Sequence, residues 1–207
     1  SSIEYGNFYP KVILFLEENI GYAWGGTKLY KTLDGGATWE EQNNPSNSYI
    51  EKIQFLDNQT AYLSGGYYVY KTTDGGNSWS QTSYYVEWTT GAFAVNNDFI
   101  YYSANASVSR DNLNGGNTYS YGFDQGGFVT DIFFVNNNVG FAVGKKEQGH
   151  PMGRFIYKTV DGGNTWSPLD RAAPNGGSGG SAALFFEKIN ENEYVYTVAK
   201  NGSNKYS

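Results

Sequence analysis

An all-β fold assembled from repeated four-stranded units is predicted for this chain of 207 residues. Three observations predict it. Aromatic residues make up 18% of the chain and charged residues only 16%, with 27 glycines against 5 prolines, a balance that fits turn-rich β structure and neither a disordered chain nor a coiled coil. A ten-residue pattern recurs at a spacing of about forty residues, and self-similarity at that period marks a repeat architecture. Between its copies, apolar residues fall at every second position in short runs, which is the period of a half-buried strand.

The pattern is Tyr30-Lys31-Thr32-Leu33-Asp34-Gly35-Gly36-Ala37-Thr38-Trp39, repeated at Tyr70 to Trp79 and at Tyr157 to Trp166. A decayed copy reads Asn114-Gly115-Gly116-Asn117-Thr118-Tyr119. Upstream of each copy lies a pair of alternating runs. They are Val12–Phe15 with Gly21–Gly25, Ile53–Leu56 with Thr60–Gly65, Gly91–Val95 with Phe99–Tyr102, and Ile132–Val135 with Gly140–Gly144. A fifth pair begins at Ala183–Phe186 and continues through Tyr194–Val198. Each unit therefore holds four strands: an inner one, a second, a third ending in Tyr-Lys-Thr, and an outer one after the Trp.

Four-stranded units of about forty residues are the blades of a β-propeller. The expectation is one domain over residues 1–207 with about five blades, at 11–50, 51–90, 91–127, 128–181 and 182–207 plus 1–10. Both termini fall at the same point of the repeat. One arrangement is a closed ring in which residues near Ile3 to Tyr5 add the outer strand to the last blade; the other is a piece of an array of six or more blades. The closed ring is the expectation, since it leaves no apolar blade face open.

The Ser/Thr-x-Asp-Gly-Gly-x-Thr-Trp element resembles the Asp-box, or bacterial neuraminidase repeat, of sialidases, sortilin-type receptors and xyloglucan-hydrolysing propellers. The fuller unit carries Gly-Tyr-Ala-x-Gly-Gly before Tyr-Lys-Thr-x-Asp-Gly-Gly. It is most similar to the propellers of the photosystem II assembly and stability factors and their bacterial relatives. The resemblance implies the propeller fold and an exported bacterial setting, whether extracellular, periplasmic or on the cell surface. It implies no particular activity, because one scaffold hosts many functions.

Asp34, Asp74 and Asp161 read as turn residues rather than acids or Ca²⁺ ligands. Asp followed by Gly-Gly between strands lets the carboxylate accept backbone amides while glycine supplies positive φ. Trp39, Trp79 and Trp166, with Tyr119 in the decayed copy, are expected to pack inward, and Asn114 is expected to take the place of the aspartate. On that basis Trp79→Ala should cost several kcal/mol and Asp74→Asn should be mild.

A net charge of −6 disfavours nucleic acid and anionic membrane surfaces. The chain has no cysteine and one histidine, His150, so thiolate chemistry and multi-histidine metal sites are excluded, and no metal or cofactor is expected. No apolar run is longer than that of Val12–Leu16, which is too short to span a bilayer, so no membrane insertion is expected. Sialidases clamp their substrate with three arginines. This chain has only Arg110, Arg154 and Arg171, the first two on third strands away from the central channel, and it lacks the Phe-Arg-Ile-Pro motif. All three read as solvated, and sialidase chemistry is set aside. Any other glycosidase needs two facing carboxylates. Glu87 and Asp131, near inner-strand starts, are the first candidates for that alternative of a glycoside hydrolase or lyase.

In a four-stranded meander the turn from strand three to four shares a face with the turn from one to two. The opposite face is built from the loops between strands two and three and between blades. There lie Tyr67 and Tyr68, the run Tyr84-Tyr85-Val86-Glu87-Trp88, and the insertion carrying His150. Clustered aromatics on a loop-built face mark recognition of a sugar or a protein. The function read from sequence is a non-enzymatic, monomeric binding scaffold for a protein or glycan, with Tyr67, Tyr68, Tyr84, Tyr85, Trp88 and His150 as contact residues.

Overall fold

The alternating runs form the expected strands in a computed structural model, which describes residues 8–87, 90–104, 107–123, 127–145 and 154–168, and the backbone alone over 182–190 and 193–200. The first blade is an antiparallel meander of β1 (Val12–Phe15), β2 (Gly21–Gly25), β3 (Lys28–Thr32) and β4 (Glu40–Gln42). The second repeats it with β5 (Ile50–Phe55), β6 (Ala61–Gly65), β7 (Tyr68–Thr72) and β8 (Ser80–Tyr85). The third contains β9 (Phe93–Val95), β10 (Phe99–Ala104), β11 (Ser107–Asn112) and β12 (Tyr119–Gly122). The fourth contains β13 (Phe128–Phe134), β14 (Gly140–Lys145), β15 (Arg154–Thr159) and β16 (Ser167–Pro168). A fifth, two-stranded sheet pairs β17 (Ala182–Asn190) with β18 (Glu193–Lys200). Residues 1–7 and 201–207, on which ring closure was argued, lie outside the described residues.

The chain divides into two compact units, Ser1–Gly91 and Ala92–Ser207, each containing two complete blades. A blade buries its faces only against a neighbour, so the cores lie between blades. In the first unit Tyr22, Trp24 and Leu29 of the first blade pack on Ile50, Ile53 and Leu63 of the second. In the second unit Tyr101 and Val108 of the third blade pack with Ile132, Phe155, Tyr157 and Trp166 of the fourth, and Phe123 fills between them. The register shows what the neighbour contributes. Ile13, Ile53 and Ile132 face equivalent residues of their second strands, Ala23, Leu63 and Ala142. Ile53 and Ile132 are buried, while Ile13 on the first blade is exposed.

Lys31, a third-strand lysine to which the sequence assigned no role, makes part of the joint between the first two blades. Lys31, Lys71 and Lys158 sit opposite Tyr22, Tyr62 and Phe141 on the second strands, each ammonium 5.5–5.8 Å from the facing ring. Such cation–aromatic pairs contribute roughly 0.5–1 kcal/mol each. In the first unit the Tyr22 hydroxyl (2.9 Å) and Lys31 Nζ (2.8 Å) both donate to the carbonyl of Gly75 in the next blade's turn. Burial and then the charge of Asp74 push the Tyr22 phenol up to about 12, so it remains a donor at any ordinary pH. In the second unit Tyr101 (3.0 Å) and Arg110 (2.8 Å) donate to Gly162 in the same way.

The Asp-Gly-Gly turns have the predicted chemistry. Asp74 accepts from the Thr72 hydroxyl (2.7 Å), the Ser78 amide (2.9 Å) and the Ser78 hydroxyl (2.6 Å), and Asp34 and Asp161 repeat the set. Both glycines of each pair have positive φ, between 65° and 89°. The tryptophan packs over the second glycine: a Cβ on Gly36, Gly76 or Gly163 would stand in ordinary contact, 3.6 Å from Cζ2 of the tryptophan three residues on. The indole lies against the bare glycine. The amides of Gly35, Gly75 and Gly162 donate to the first-hairpin carbonyls of Asn19, Gln59 and Asn138, so both turns lie at one end of the blade, as the meander predicts.

These bonds hold the turn carboxylates ionised. The Thr38 hydroxyl and amide, then Thr32, bring Asp34 down to about 2, and Ser78 followed by Thr72 does the same for Asp74. For Asp161 burial pushes upward, but the bonds from Thr165 and Thr159 outweigh it and the net shift is downward. A carboxylate whose folded value lies below its ordinary 3.8 stabilises fully above about pH 4 and loses that contribution as pH falls toward 2. Asp74→Asn is therefore expected to lower the Tm at pH 7, with the gap to the parent narrowing between pH 4 and pH 2. Circular dichroism melts across that range check it; a gap of constant size would exclude an ionic role.

The third blade overturns the expectation for Asn114 and Tyr119, and with it the argument that Asp74→Asn is mild. Lys31, Lys71 and Lys158 pair with Glu40, Ser80 and Ser167, the residues just after each Trp. Arg110, which faces Tyr101 as Lys31 faces Tyr22, pairs with Tyr119. Tyr119 thus occupies the position after the Trp, and Thr118 the Trp position. A shift of one residue turns a strand side chain to the other face. Tyr119 is accordingly 57% exposed. Asn112 Oδ1, not Asn114, accepts the turn amide (2.8 Å), and Leu113 donates the bond to Asp98 that Gly35, Gly75 and Gly162 donate elsewhere. Arg110 is a further correction: it is buried rather than solvated, its guanidinium 4.7 Å from the Phe99 ring and 5.1 Å from that of Tyr119.

Candidate functional site

The loop end of the second blade brings three of the predicted contact residues together. Gly66, with a φ of +61°, allows the tight turn between β6 and β7 and sets Tyr67 at its tip, and Gly65 pairs with Tyr68 to close it. Opposite, β8 is bulged. Tyr68 pairs with Tyr85 and Tyr70 with Gln81, and the Thr82 hydroxyl donates to the Val69 carbonyl (2.7 Å) within the irregularity. The Val86 amide then donates to the Tyr67 carbonyl (2.9 Å), tying the end of β8 to the turn.

The rings consequently meet. Tyr67 and Tyr85 stack at 5.4 Å with their planes 8° apart, and Tyr68 stands edge-on to Tyr85 at 6.0 Å. Their exposures are 39% for Tyr67 and Tyr68 and 46% for Tyr85, large for side chains of this size in mutual contact. Partial desolvation, then the charges of Tyr67, Glu87 and Tyr68, push the Tyr85 phenol upward. Tyr84 belongs to the inward set of β8 and the segment after it, with Thr82 and Val86, and is half-buried. Trp88 and His150 lie outside the described residues.

Forty residues earlier the same positions carry different chemistry. Thr27 and Lys28 replace Tyr67 and Tyr68, and they line a polar groove of about 640 Å³ with Glu41, Asn43 and Asn47. Its carboxylate is already committed. Glu41 accepts from Lys28 and from Tyr30, and the Lys28 bond leads in holding it below its ordinary value. A general acid requires a shift in the other direction.

Of the two carboxylates singled out for a hydrolase, Asp131 has a local structural task, while Glu87 contributes its backbone carbonyl to the turn after β8. Asp131 sits at a bulge of β13 and its Oδ1 accepts the amide of Ile132 (2.9 Å). The carbonyl of Glu87 accepts the amides of Thr90 and Gly91 in the turn that leaves the blade. Asp57, another carboxylate of the chain, accepts the amides of Gln59 and Thr60 at 2.7 Å each. Asn96 and Asn136 do the same for the first hairpins of the third and fourth blades. The sequence reading missed this repeated Asx turn, whose signal was an Asp or Asn at the same place in three units. No group of three or more His, Cys, Asp or Glu among the described residues is able to hold a metal ion.

Comparison with known proteins defines the class from the fold. The chain is an all-β propeller, and among solved structures it is similar to a photosystem II assembly factor. That structure, YCF48 from Cyanidioschyzon merolae, superposes with a TM-score of 0.63 at 16% identity, covering 97% of this chain and 69% of that one. A chain in a Saccharomyces cerevisiae complex containing Dbp5, Nup159, Gle1, IP6 and ADP gives 0.61 at 12% identity, with 91% of this chain covering 56% of that one. YCF48 bound to D1 peptide matches at 0.41 and 14% identity, over 91% of this chain and 89% of that one. No family model matches the chain, and no curated protein matches it.

Proposed function

We infer that the chain is a non-enzymatic propeller scaffold that binds a protein partner through the loop end of its second blade. The carrying observation is the contact set of Tyr67, Tyr68 and Tyr85, three large rings held half-exposed by a turn and a bulge that build no core. Tyrosine presents a rigid amphipathic surface at low entropic cost and is enriched at protein interfaces. Strands fix its position here, which suits a recognition surface better than a mobile loop would. A polar rim surrounds it: Ser83 and Gln81 on the outward side of β8, and Glu87 beyond Val86.

The test is Tyr67→Ala, Tyr68→Ala and Tyr85→Ala combined, compared with the parent in affinity capture from cell-envelope extracts and on a glycan array. Loss of a specific protein partner by the variant, with the blade ladders intact by circular dichroism, is the expected result. Capture that survives the triple substitution sinks the proposal. A saturable glycan signal that the variant loses would instead make the same surface a sugar platform.

A further inference from the structure

We propose that the polar groove at the loop end of the first blade binds a neutral oligosaccharide, at a site outside the tyrosine surface argued above and independent of the protein-partner reading. Three elements line it. The turn after β2 contributes Thr27 and leads into Lys28, the end of β4 contributes Glu41, and the loop 43–49 contributes Asn43 and Asn47. Its volume of about 640 Å³ falls in the range of small-molecule sites.

The loop is held in one shape by its own bonds. Asn44 Nδ2 donates to the carbonyls of Thr27 (3.0 Å) and Ser48 (2.7 Å), while its Oδ1 accepts the amide (3.0 Å) and the hydroxyl (2.7 Å) of Ser46. The amide of Ile50 then donates to the carbonyl of Gly26 (2.8 Å), so the loop is tied at both ends to the turn beside it. Asn47 has a φ of +51°, a left-handed backbone that asparagine adopts more readily than most side chains. The side chains of Thr27, Asn43 and Asn47, by contrast, form no hydrogen bond among the described residues. A fixed backbone carrying uncommitted polar groups loses little freedom when a ligand arrives.

Charge and hydrogen-bonding type select the ligand. The two charged side chains of the groove, Lys28 and Glu41, bond to each other, and the Tyr30 hydroxyl also donates to Glu41 (3.2 Å). An anion would meet Glu41 and a cation would meet Lys28, so either must disrupt that pair. What the groove offers beyond it is a hydroxyl and carboxamides, each both donor and acceptor, which match the hydroxyls of a sugar. A purely apolar ligand would leave those groups desolvated and unpaired. An aromatic ring stands at the same turn. Tyr49 is 62% exposed, more than Tyr67, Tyr68 or Tyr85, and its Cε1 lies 4.0 Å from where a Cβ on Gly26 would stand. The negative face of such a ring attracts the weakly positive C–H groups on the flat side of a pyranose. An extended peptide also carries amides, but the outer strand here, β4, offers three residues for backbone pairing and two of them are glutamates, which discourage a further strand.

The experiment is an NMR titration of the whole chain with cellohexaose, chitohexaose and mannohexaose as neutral sugars, sialyllactose as an anionic one, and acetyl-hexaserine amide as a neutral extended peptide. The readouts are the carboxamide signals of Asn43 and Asn47, assigned by Asn43→Ser and Asn47→Asp, and the ring signals of Tyr49, assigned by Tyr49→Phe. Saturable movement of these signals with at least one neutral hexasaccharide is the expected result, weakened about tenfold by Tyr49→Ala and about fivefold by Asn43→Ala, the second being the loss of a hydrogen bond. Both residues are exposed, so the two variants should melt with the parent in circular dichroism, and Tyr49→Phe, which keeps the ring, should keep the affinity. Signals that none of the three hexasaccharides moves overturn the proposal, as does sugar binding that both alanine substitutions leave unchanged. Movement with hexaserine alone overturns the sugar class in favour of a peptide, and movement with sialyllactose alone overturns the neutral one.

Discussion

Trp166→Ala is expected to lower the free energy of unfolding by about 3–5 kcal/mol, the range for truncating a fully buried aromatic. The indole is buried between blades. Its ring meets Phe123 at 6.2 Å and Phe134 at 6.0 Å, both edge-on, and its remaining face lies on Gly163. Phe134 belongs to the fourth blade's own first strand, and Phe123 closes the third blade, so the ring joins two blades and one turn. Phe134 is fixed in β13, and Phe123 is already packed on Phe155 and Tyr157, so little is free to collapse into the space, which is the circumstance in which a cavity costs most. Trp79 occupies the same position of the repeat but is only half-buried, so Trp79→Ala should cost less, and the larger loss moves from the residue that the sequence nominated to its counterpart in the fourth blade. Denaturant midpoints of the two variants and the parent decide it. Equal losses at the two tryptophans would mean that burial between blades is not what the indole contributes.

The contrast between those two residues marks where sequence reading stops. The repeat period, the four strands of each complete blade and the Asp-Gly-Gly turn were all legible, because each rests on local physics: alternation at period two, positive φ at glycine, a carboxylate within reach of the amide four residues on. The neighbour's contribution was not legible. Lys31 in Tyr-Lys-Thr drew no role from the sequence, yet it and Tyr22 share the Gly75 carbonyl of the following blade, a contact that spans more than forty residues of chain. Arg110 was misread for the same reason. The third blade was misread because its Gly-Gly pair was aligned by identity, whereas the ladder places Arg110, and not its neighbour Asp111, at the lysine position. That single step carries Tyr119 outward over the guanidinium and leaves Asn114 without the aspartate's task. The aromatics of the candidate site were picked out by their place on one loop-built face of the meander, and their arrangement was not legible. Only the bulge of β8 and the turn at Gly66 show that Tyr67, Tyr68 and Tyr85 meet while Tyr84 turns inward.

Gly163→Ala should be far more damaging than Gly76→Ala, although the two glycines hold the same place in the same turn. Both have positive φ, +79° and +83°, so each alanine incurs the left-handed cost of roughly 1–2 kcal/mol. They differ in what a Cβ would meet. At Gly76 the nearest atoms are Trp79 Cζ2 at 3.6 Å and Tyr22 Cε1 at 3.7 Å, which are ordinary contacts. At Gly163 the new methyl would lie 2.8 Å from Tyr101 Cε1 and 3.3 Å from its Cδ1. Tyr101 cannot step aside freely. Its ring stacks on Phe134 at 4.0 Å, and its hydroxyl donates to Gly162, one residue from the intruding methyl. Relieving the clash therefore pulls the hydroxyl off its acceptor in a buried site, which adds roughly 1–3 kcal/mol for the polar group left unsatisfied. The expected total is about 3 kcal/mol or more at Gly163, against about 1 kcal/mol at Gly76. Tyr101→Phe in the Gly163→Ala background separates the parts: with the hydroxyl already gone, the alanine should cost less than it does in the parent. If the two alanine variants unfold at the same denaturant concentration, the tyrosine–glycine joint between blades is not under the packing constraint assigned to it.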